Sequence, residues 1–277
     1  MININGAIYS NYNTIPSSFI KSFLVNPVFD FKLRWEGNNI LFWEEHYFMM
    51  MAQLRRLRLV IPMDFTLDFF IKEIKKLINI ENEKYLIIHL KFANEFKPNF
   101  NNFQPNLITA IFTSKSKSLI HDDFSSINEM SLFKDYNLTD QEFGSISYLQ
   151  KDIKRIASIE SFENNCDDNI ILNNKKNVIG SVLGNVFLLH EGRIICPPSS
   201  IGRESIVLSD LFIEYLKNNN ISFSYESFGV FELQVSDELS VLSIDNGISP
   251  VCKYRKKTYQ TKRLPEVFKS FIKTSLG

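Results

Sequence analysis

The residues of this chain that could do chemistry gather in one stretch, 147–187, which opens with a serine and a lysine four positions apart. On a helix, Ser147 and Lys151 would point the same way. Lys151 could present an amine to a ligand, or it could be an ordinary solvated or ion-paired lysine, and we favour the second interpretation. We interpret Ser147 as a helix N-cap rather than a nucleophile, because no histidine or aspartate partner can be assigned to it.

The remaining reactive side chains show no spacing that indicates a metal or redox site. The three cysteines form no CxxC or Cys/His cluster, so we expect neither a disulfide framework nor a zinc site. The adjacent acids Asp167 and Asp168 fit a turn better than an acid/base pair. We interpret all four histidines as structural and expect no metal ligand among them. They are His46, His89, His121 and His190.

The hydrophobic pattern predicts the elements that would hold this stretch in place. Apolar residues at near-helical spacing follow Asp152, and a short buried strand covers 169–172. After a polar turn, the run 178–189 (VIGSVLGNVFLL) is expected to be extended. A further helix is predicted at about 203–217, and a last one from Leu264.

The N-terminal part of the sequence predicts a separate group of strands and helices. Asn5-Gly6 between apolar runs is a strong hairpin signal. Strands are expected at 29–35, 85–93 and 107–113, and helices at about 44–59 and 66–78. The Asn/Phe/Pro loop 94–106 could be a lid over a pocket, although a hairpin tip is the commoner case.

A polar segment, 114–123 (SKSKSLIHDD), separates the two parts and is the expected interdomain linker. The chain has 277 residues, which is enough for two modest domains. The sequence therefore predicts domains at 1–113 and 124–277.

Composition limits the classes of partner. Lysine plus arginine and aspartate plus glutamate both number 31, so the net charge is zero, which argues against a nucleic-acid partner. No apolar run is long enough to span a bilayer, and the N-terminus lacks a signal-peptide pattern. We therefore expect no membrane partner and a cytoplasmic location.

The order helix, strand, turn, strand in 147–187 resembles the large domain of fold-type IV pyridoxal-phosphate (PLP) proteins, the class IV aminotransferases. Branched-chain aminotransferases, D-amino-acid aminotransferases and aminodeoxychorismate lyases belong to this family. Its V-x-E-x-x-x-x-N-x-F strand corresponds to VIGSVLGNVF, which keeps Asn185 and Phe187. The resemblance implies an α+β (α/β two-domain), D-amino-acid-aminotransferase-like fold, with a small N-terminal α+β domain and a larger C-terminal domain.

Two further stretches carry the resemblance across nearly the whole chain. FWEEHYFMMMAQLRRLRLVIP is similar to the W-E-x-H-x-x-R-L helix and following I-P of the family's small domain. FELQVSDELSVLSIDNGISPV is similar to its E-L-x-x-A-D-E-L-F-I-T-N…G-I-x-P-V pattern. That second stretch keeps Asp237, Glu238, Gly247 and Pro250.

The side chains that define the family's chemistry are missing. By the family's spacing, the Schiff-base lysine falls on Ser147, and the carboxylate that holds the pyridine nitrogen falls on Gly180. Lys151 is the possible substitute for the lysine. Arg34 and Ser243 are possible remnants of the phosphate site. Its other positions hold the apolar residues Met49, Ile206, Leu208 and Leu242.

These differences leave three hypotheses for function. The chain is a catalytically degenerate homologue, unable to bind PLP covalently and kept as a binding or structural subunit, which we favour. Alternatively, it is a divergent PLP-dependent aminotransferase or aminodeoxychorismate lyase with rearranged residues, or a cofactor-free binder of a small carboxylate. Under the favoured hypothesis we expect no cofactor, although PLP is the family's cofactor. The resemblance also implies a homodimer, with a heterodimer with an active relative as the alternative.

Overall fold

The computed structural model describes residues 1–96, 106–119, 124–139 and 145–276, with the backbone alone at 147, 148 and 276. The chain forms two compact units, Met1–Lys117 and Ser118–Gly277. Residues 97–105 of the loop considered as a lid lie outside the described residues. So do positions 120–123 of the polar segment, with His121 among them.

The N-terminal unit is an antiparallel sheet with three helices. Its strands are β1 (Ile2–Ile4), β2 (Ala7–Tyr9), β3 (Pro27–Glu36), β4 (Asn39–Ile40), β5 (Tyr85–Asn94) and β6 (Leu107–Lys115). Its helices are α1 (Ser17–Val25), α2 (Trp43–Arg56) and α3 (Leu67–Glu81). The strand order is β2-β1-β6-β5-β3-β4, and each neighbouring pair is antiparallel.

The predicted N-terminal hairpin is confirmed, and its turn follows from two residues. Asn5 and Gly6 both have positive φ, 46° and 90°, as a two-residue type I′ turn requires. Ile4 lies opposite Ala7 across the hairpin. Helix α1 was not predicted, although its apolar residues Phe19, Ile20, Phe23 and Leu24 recur at helical spacing.

The C-terminal unit is built on a mixed nine-stranded sheet. Its strands are β7 (Ile127–Leu132), β8 (Asp168–Leu172), β9 (Val178–Ser181), β10 (Asn185–His190), β11 (Arg193–Cys196), β12 (Phe223–Tyr225), β13 (Glu238–Ser243), β14 (Gly247–Tyr254) and β15 (Lys257–Thr258). Its helices are α4 (Lys151–Glu163), α5 (Val207–Asn218), α6 (Val230–Val235) and α7 (Arg263–Leu276). The strand order is β12-β11-β10-β13-β14-β7-β8-β9, with β15 paired to β14.

Two elements of this unit differ from the sequence prediction. The run 178–189 is not one strand, because the chain turns between β9 and β10, where Ser181 N donates to Gly184 O at 2.8 Å. The helix expected from 203 begins at Val207 instead. Its lead-in is extended at Ile206, with φ −121° and ψ 117°, so the preceding residues make long-range contacts rather than helical ones.

Glu238, one of the residues that match the family pattern, has a structural role at the start of α7. Its side chain is 2% exposed. One carboxylate oxygen accepts hydrogen bonds from Arg263 N at 2.8 Å and Lys262 N at 3.3 Å, and the other accepts from Leu264 N at 2.9 Å. A buried carboxylate thus satisfies three amide groups at a helix N-terminus, where negative charge is favourable.

We predict that Glu238→Ala lowers the free energy of unfolding by about 2–3 kcal/mol, because charge-assisted hydrogen bonds are lost and buried amides are left without acceptors. Chemical denaturation measures this. Glu266→Ala, which removes an exposed acid from the same first turn, is the control and should cost about 0.5 kcal/mol or less. Equal effects of the two substitutions would contradict the assigned role.

Candidate active site

The segment Gly202–Ser205, which leads into α5, is bonded to the region around the start of α4. Gln150 Nε2 donates to Gly202 O at 2.9 Å, and Ser205 N donates to Ser145 O at 2.9 Å. Lys154 Nζ forms an ion pair with Glu204 Oε2. Three contacts therefore join the neighbourhood of position 147 to the N-terminus of α5.

The same segment is bonded to strand β10 through Asn185. Asn185 Nδ2 donates to Glu204 O at 3.1 Å, and Arg203 Nη1 donates to the same carbonyl at 3.3 Å. Asn185 also lies opposite Leu242 in the β10–β13 pair. Segments 145–154, 202–205 and strand β10 are thus neighbours within the C-terminal unit.

The N-terminus of α5 carries backbone N–H groups without acceptors. Its N-cap residue, Ile206, has no side chain that can accept a hydrogen bond. Ser209 N and Asp210 N donate to Ile206 O, but no described residue accepts from Val207 N or Leu208 N. Leu208 is completely buried, so its amide has no water in reach. Free amides and the helix dipole together favour an anion at this point.

A tight backbone arrangement surrounds Gly180, the position to which the sequence resemblance assigns the family's carboxylate. Gly180 has a φ of 159°, and a Cβ added there would lie 3.0 Å from the backbone oxygen of Gly184. A Cβ at Gly184 would overlap the carbonyl oxygen of Leu242. Close backbone approach therefore requires a glycine at 184, and a side chain at 180 would force its neighbour to shift. No side chain at position 180 fits without movement of the β9–β10 turn.

Asp168 is buried at the start of β8 and does not belong to a turn, so that part of the sequence interpretation was wrong. Asn169 N donates to its Oδ1 at 2.8 Å, while its Oδ2 has no partner among the described residues. Burial raises the pKa of Asp168 to about 6, and hydrogen bonds to its carboxylate oppose that effect more than the nearby positive charge of Lys154 does. Asp167 does bridge two segments, since its carboxylate accepts from Asn128 N at 2.6 Å.

Two other buried side chains lie close in sequence to the Gly202–Ser205 segment or within it. Arg203 is hydrogen-bonded, and the thiol of Cys196 is unreactive. Arg203 is 3% exposed and donates from Nη2 to Asp210 Oδ1 at 3.0 Å. Cys196 is fully buried, and burial raises the pKa of its thiol to about 12. A thiol with that pKa is protonated at neutral pH and is a poor nucleophile.

The predicted site residues of the C-terminal unit are placed as follows. Ser147 opens a 3₁₀ turn, Ser147–Gln150, and α4 follows with Gln150 as its N-cap. Lys151 is exposed at the first position of α4. Leu242 is buried, and Ser243 Oγ accepts from Asn246 N at 3.2 Å, within its own turn.

Sequence reasoning missed Lys154, the lysine of α4 that contacts the 202–205 segment. Its side chain is 18% exposed, against 14% for its partner Glu204. The available signal was its spacing, because a residue seven positions after Ser147 lies two helical turns further along the same face. The sequence contained no such signal for Glu204, because it lies 50 residues from Lys154.

The remaining predicted residues lie in the N-terminal unit. Met49 is half-buried on α2. Arg34 is 1% exposed on β3, where its Nε pairs with Glu36 Oε2 at 2.9 Å, and it also donates to Lys117 O. His46 is buried against Phe42 O at 2.8 Å, and desolvation lowers its pKa to about 4. These contacts are internal to the unit.

Across the described parts of the chain, no three His, Cys, Asp or Glu side chains are grouped to hold a metal ion. The helices found there are all too short or too polar to cross a bilayer.

A sequence profile of the amino-transferase class IV family matches residues 28–254. The chain belongs to this family. The match spans most of both units and confirms the resemblance seen in the sequence motifs. A search of curated proteins finds no match for this class IV aminotransferase homologue.

Solved structures share its fold. Branched-chain aminotransferase from Thermoproteus uzoniensis, solved with norvaline, has a TM-score of 0.84 and 15% identity, covering 100% of this chain and 94% of its own. The Thermobaculum terrenum branched-chain aminotransferase in its PLP form has a TM-score of 0.82 and 15% identity, with 99% and 93% covered. A putative 4-amino-4-deoxychorismate lyase from Legionella pneumophila has a TM-score of 0.80 and 14% identity, with 95% and 96% covered.

These comparisons correct one expectation from the sequence. We expected no cofactor, and that was wrong, because the class IV aminotransferase family is PLP-dependent and the T. terrenum structure contains PLP. PLP is therefore the cofactor to expect. The expectation of no cofactor was based on lost side chains, whereas backbone amides at a helix N-terminus can bind an anion without any particular side chain.

The residues of the C-terminal unit suit the phosphate of PLP, but not its aldehyde or its ring nitrogen. Bound PLP supplies an aldehyde that reacts with amines and a ring that withdraws electrons. The free amides of Val207 and Leu208 suit its phosphate, and the buried Ser209 Oγ, without a partner among the described residues, lies in the same turn. Ser147 offers no amine to the aldehyde, and Gly180 offers no carboxylate to the ring nitrogen.

We predict that Gly180→Glu does not restore the family's carboxylate but lowers the free energy of unfolding by about 1–3 kcal/mol, because its Cβ meets the Gly184 carbonyl. Gly180→Ala should cost a similar amount, since the clash begins at Cβ. Leu183→Ala, in the same turn but 40% exposed, is the control with little expected change. Thermal and chemical denaturation measure all three. A Gly180→Glu variant as stable as the wild type would show that the turn adapts.

Proposed function

We propose that this class IV aminotransferase homologue is catalytically degenerate, holds PLP without a covalent bond, and acts as a binding or structural subunit. The observation that carries the proposal is the combination of Ser147 and Gly180 with a tight backbone at 180, where an added Cβ would lie 3.0 Å from the backbone oxygen of Gly184. A serine hydroxyl cannot form the bond that a lysine amine forms with an aldehyde. Without a carboxylate at its nitrogen, the ring is also a weaker electron acceptor.

The amides at the start of α5, where the phosphate would lie, support retention of PLP. Two free amides at the start of α5 act as donors, and the buried amide of Leu208 has no competing water. Arg203, the buried cation nearest in sequence, is bonded to Asp210 and stabilises the lead-in segment. Phosphate binding at this point needs backbone geometry rather than the side chains that the chain lacks.

The test is to add PLP to the purified chain and to follow binding by absorbance and by protein fluorescence. We expect saturable binding, no mass increase after borohydride reduction, and no transaminase or lyase activity. Ser147→Lys is the matched control. It should gain a reducible adduct on the peptide that contains position 147, yet remain inactive because the carboxylate at 180 is still absent.

Two results would contradict the proposal. If the chain did not bind PLP, the proposed noncovalent retention of PLP would be excluded. An adduct on Lys151 or Lys154 in the wild-type chain, or turnover of amino acids, would instead support the divergent enzyme that uses rearranged residues.

We also propose that the chain forms a homodimer. Large apolar side chains are exposed in both units, among them Leu24 at 76% and Phe162 at 84%, which is more than a monomer usually leaves in water. Pairing rests on apolar burial, so it does not require catalysis. Light scattering should give twice the 32.3 kDa chain mass. A concentration-independent mass of 32.3 kDa would exclude the homodimer and favour pairing with an active relative.

A further inference from the structure

We propose that Lys154 is a positioning residue for the phosphate end of the site. Its ion pair with Glu204 holds the Gly202–Ser205 segment against α4, and that segment sets the position of the free amides of Val207 and Leu208. The inference rests on the proposed noncovalent binding of PLP and adds a residue that the family motifs do not include.

Geometry connects Lys154 to the amides in a few covalent steps. Glu204 lies two residues before the N-cap Ile206. Its carboxylate is held by Lys154, and its carbonyl is held by Asn185 Nδ2 at 3.1 Å. The next residue, Ser205, is fixed by its N–H bond to Ser145 O at 2.9 Å. The backbone therefore enters α5 from a point that is fixed on both sides.

Electrostatics adds a second reason for the role of Lys154. The ammonium group lies near two acids, since it is bonded to Glu204 and its charge also acts on the buried Asp168. Loss of that ammonium would remove a positive charge that lies beside Glu204, three residues before the first of the amides proposed to receive the phosphate. Like charges at that separation disfavour binding, and burial weakens solvent screening.

A comparison with an exposed ion pair distinguishes a positioning role of Lys154 from a general contribution to the stability of the fold. Lys253 pairs with Glu129 at 2.8 Å, but the two side chains are 45% and 41% exposed, against 18% and 14% for Lys154 and Glu204. Exposed pairs contribute little. Lys253→Met is therefore a matched control that removes the same type of contact from another part of the same unit.

The experiment measures the Kd for PLP in the full chain by fluorescence titration. We expect Lys154→Met to weaken binding about tenfold, whereas Lys154→Arg, which keeps the charge, and Lys253→Met should stay within about twofold. The double variant Lys154→Met with Glu204→Gln should recover part of the affinity, because one negative charge near the phosphate is removed. A residue that only stabilised the fold would not give this recovery.

A second measurement needs no ligand. Hydrogen exchange at the Ser205 amide, which is bonded to Ser145 O, should be faster in Lys154→Met than in the wild type and unchanged in Lys253→Met. If the wild type binds PLP and Lys154→Met binds it equally well, the positioning role is overturned and the proposed function stands. If the wild type does not bind PLP, the proposed function fails. In that case, an unchanged exchange rate of the Ser205 amide in the Lys154→Met variant would also overturn the positioning role.

Discussion

The attachment of the Gly202–Ser205 segment to α4 and β10 is the constraint on which the candidate site depends. Its contacts come from Gln150, Lys154, Ser145 and Asn185, and each reaches across at least 19 residues of sequence. Buried polar groups must find such partners, because leaving them unpaired costs about 1–3 kcal/mol each. The segment therefore adopts one path, and the first turn of α5 is presented with two free amides. The proposed anion binding at this helix would follow from how its lead-in is held.

Close backbone approach also shapes the β9–β10 turn, which contains Gly184 and adjoins Gly180. Gly180 and Gly184 allow the β9–β10 turn to pack against its own carbonyl groups and that of Leu242. A carboxylate at position 180 would need a Cβ there, and that Cβ would lie 3.0 Å from the backbone oxygen of Gly184, so the turn would have to shift. The absence of the carboxylate is thus a property of the local packing and not only of one residue type.

Retention of the fold and divergence of the chemistry have different physical causes. The fold rests on a buried core in which Ile170, Val186, Val241 and Val251 pack together from four strands, and on structural acids such as Glu238. Many sequences satisfy these requirements, as solved relatives at 14–15% identity show. Chemistry depends on a few side chains whose replacement changes neither the core nor the strand order.

The sequence by itself determined the family, the α+β architecture, the Asn5-Gly6 hairpin and the absence of a lysine at 147 and a carboxylate at 180. These follow from local patterns and from residue types, which a sequence states directly. It could not predict that Lys154 pairs with Glu204, that Asp168 is buried or that α5 begins at Val207 with uncapped amides. Those features depend on which distant segments meet and on where water is excluded. Only the tertiary structure decides them, because burial and hydrogen-bond partners are properties of packed surfaces rather than of neighbouring residues.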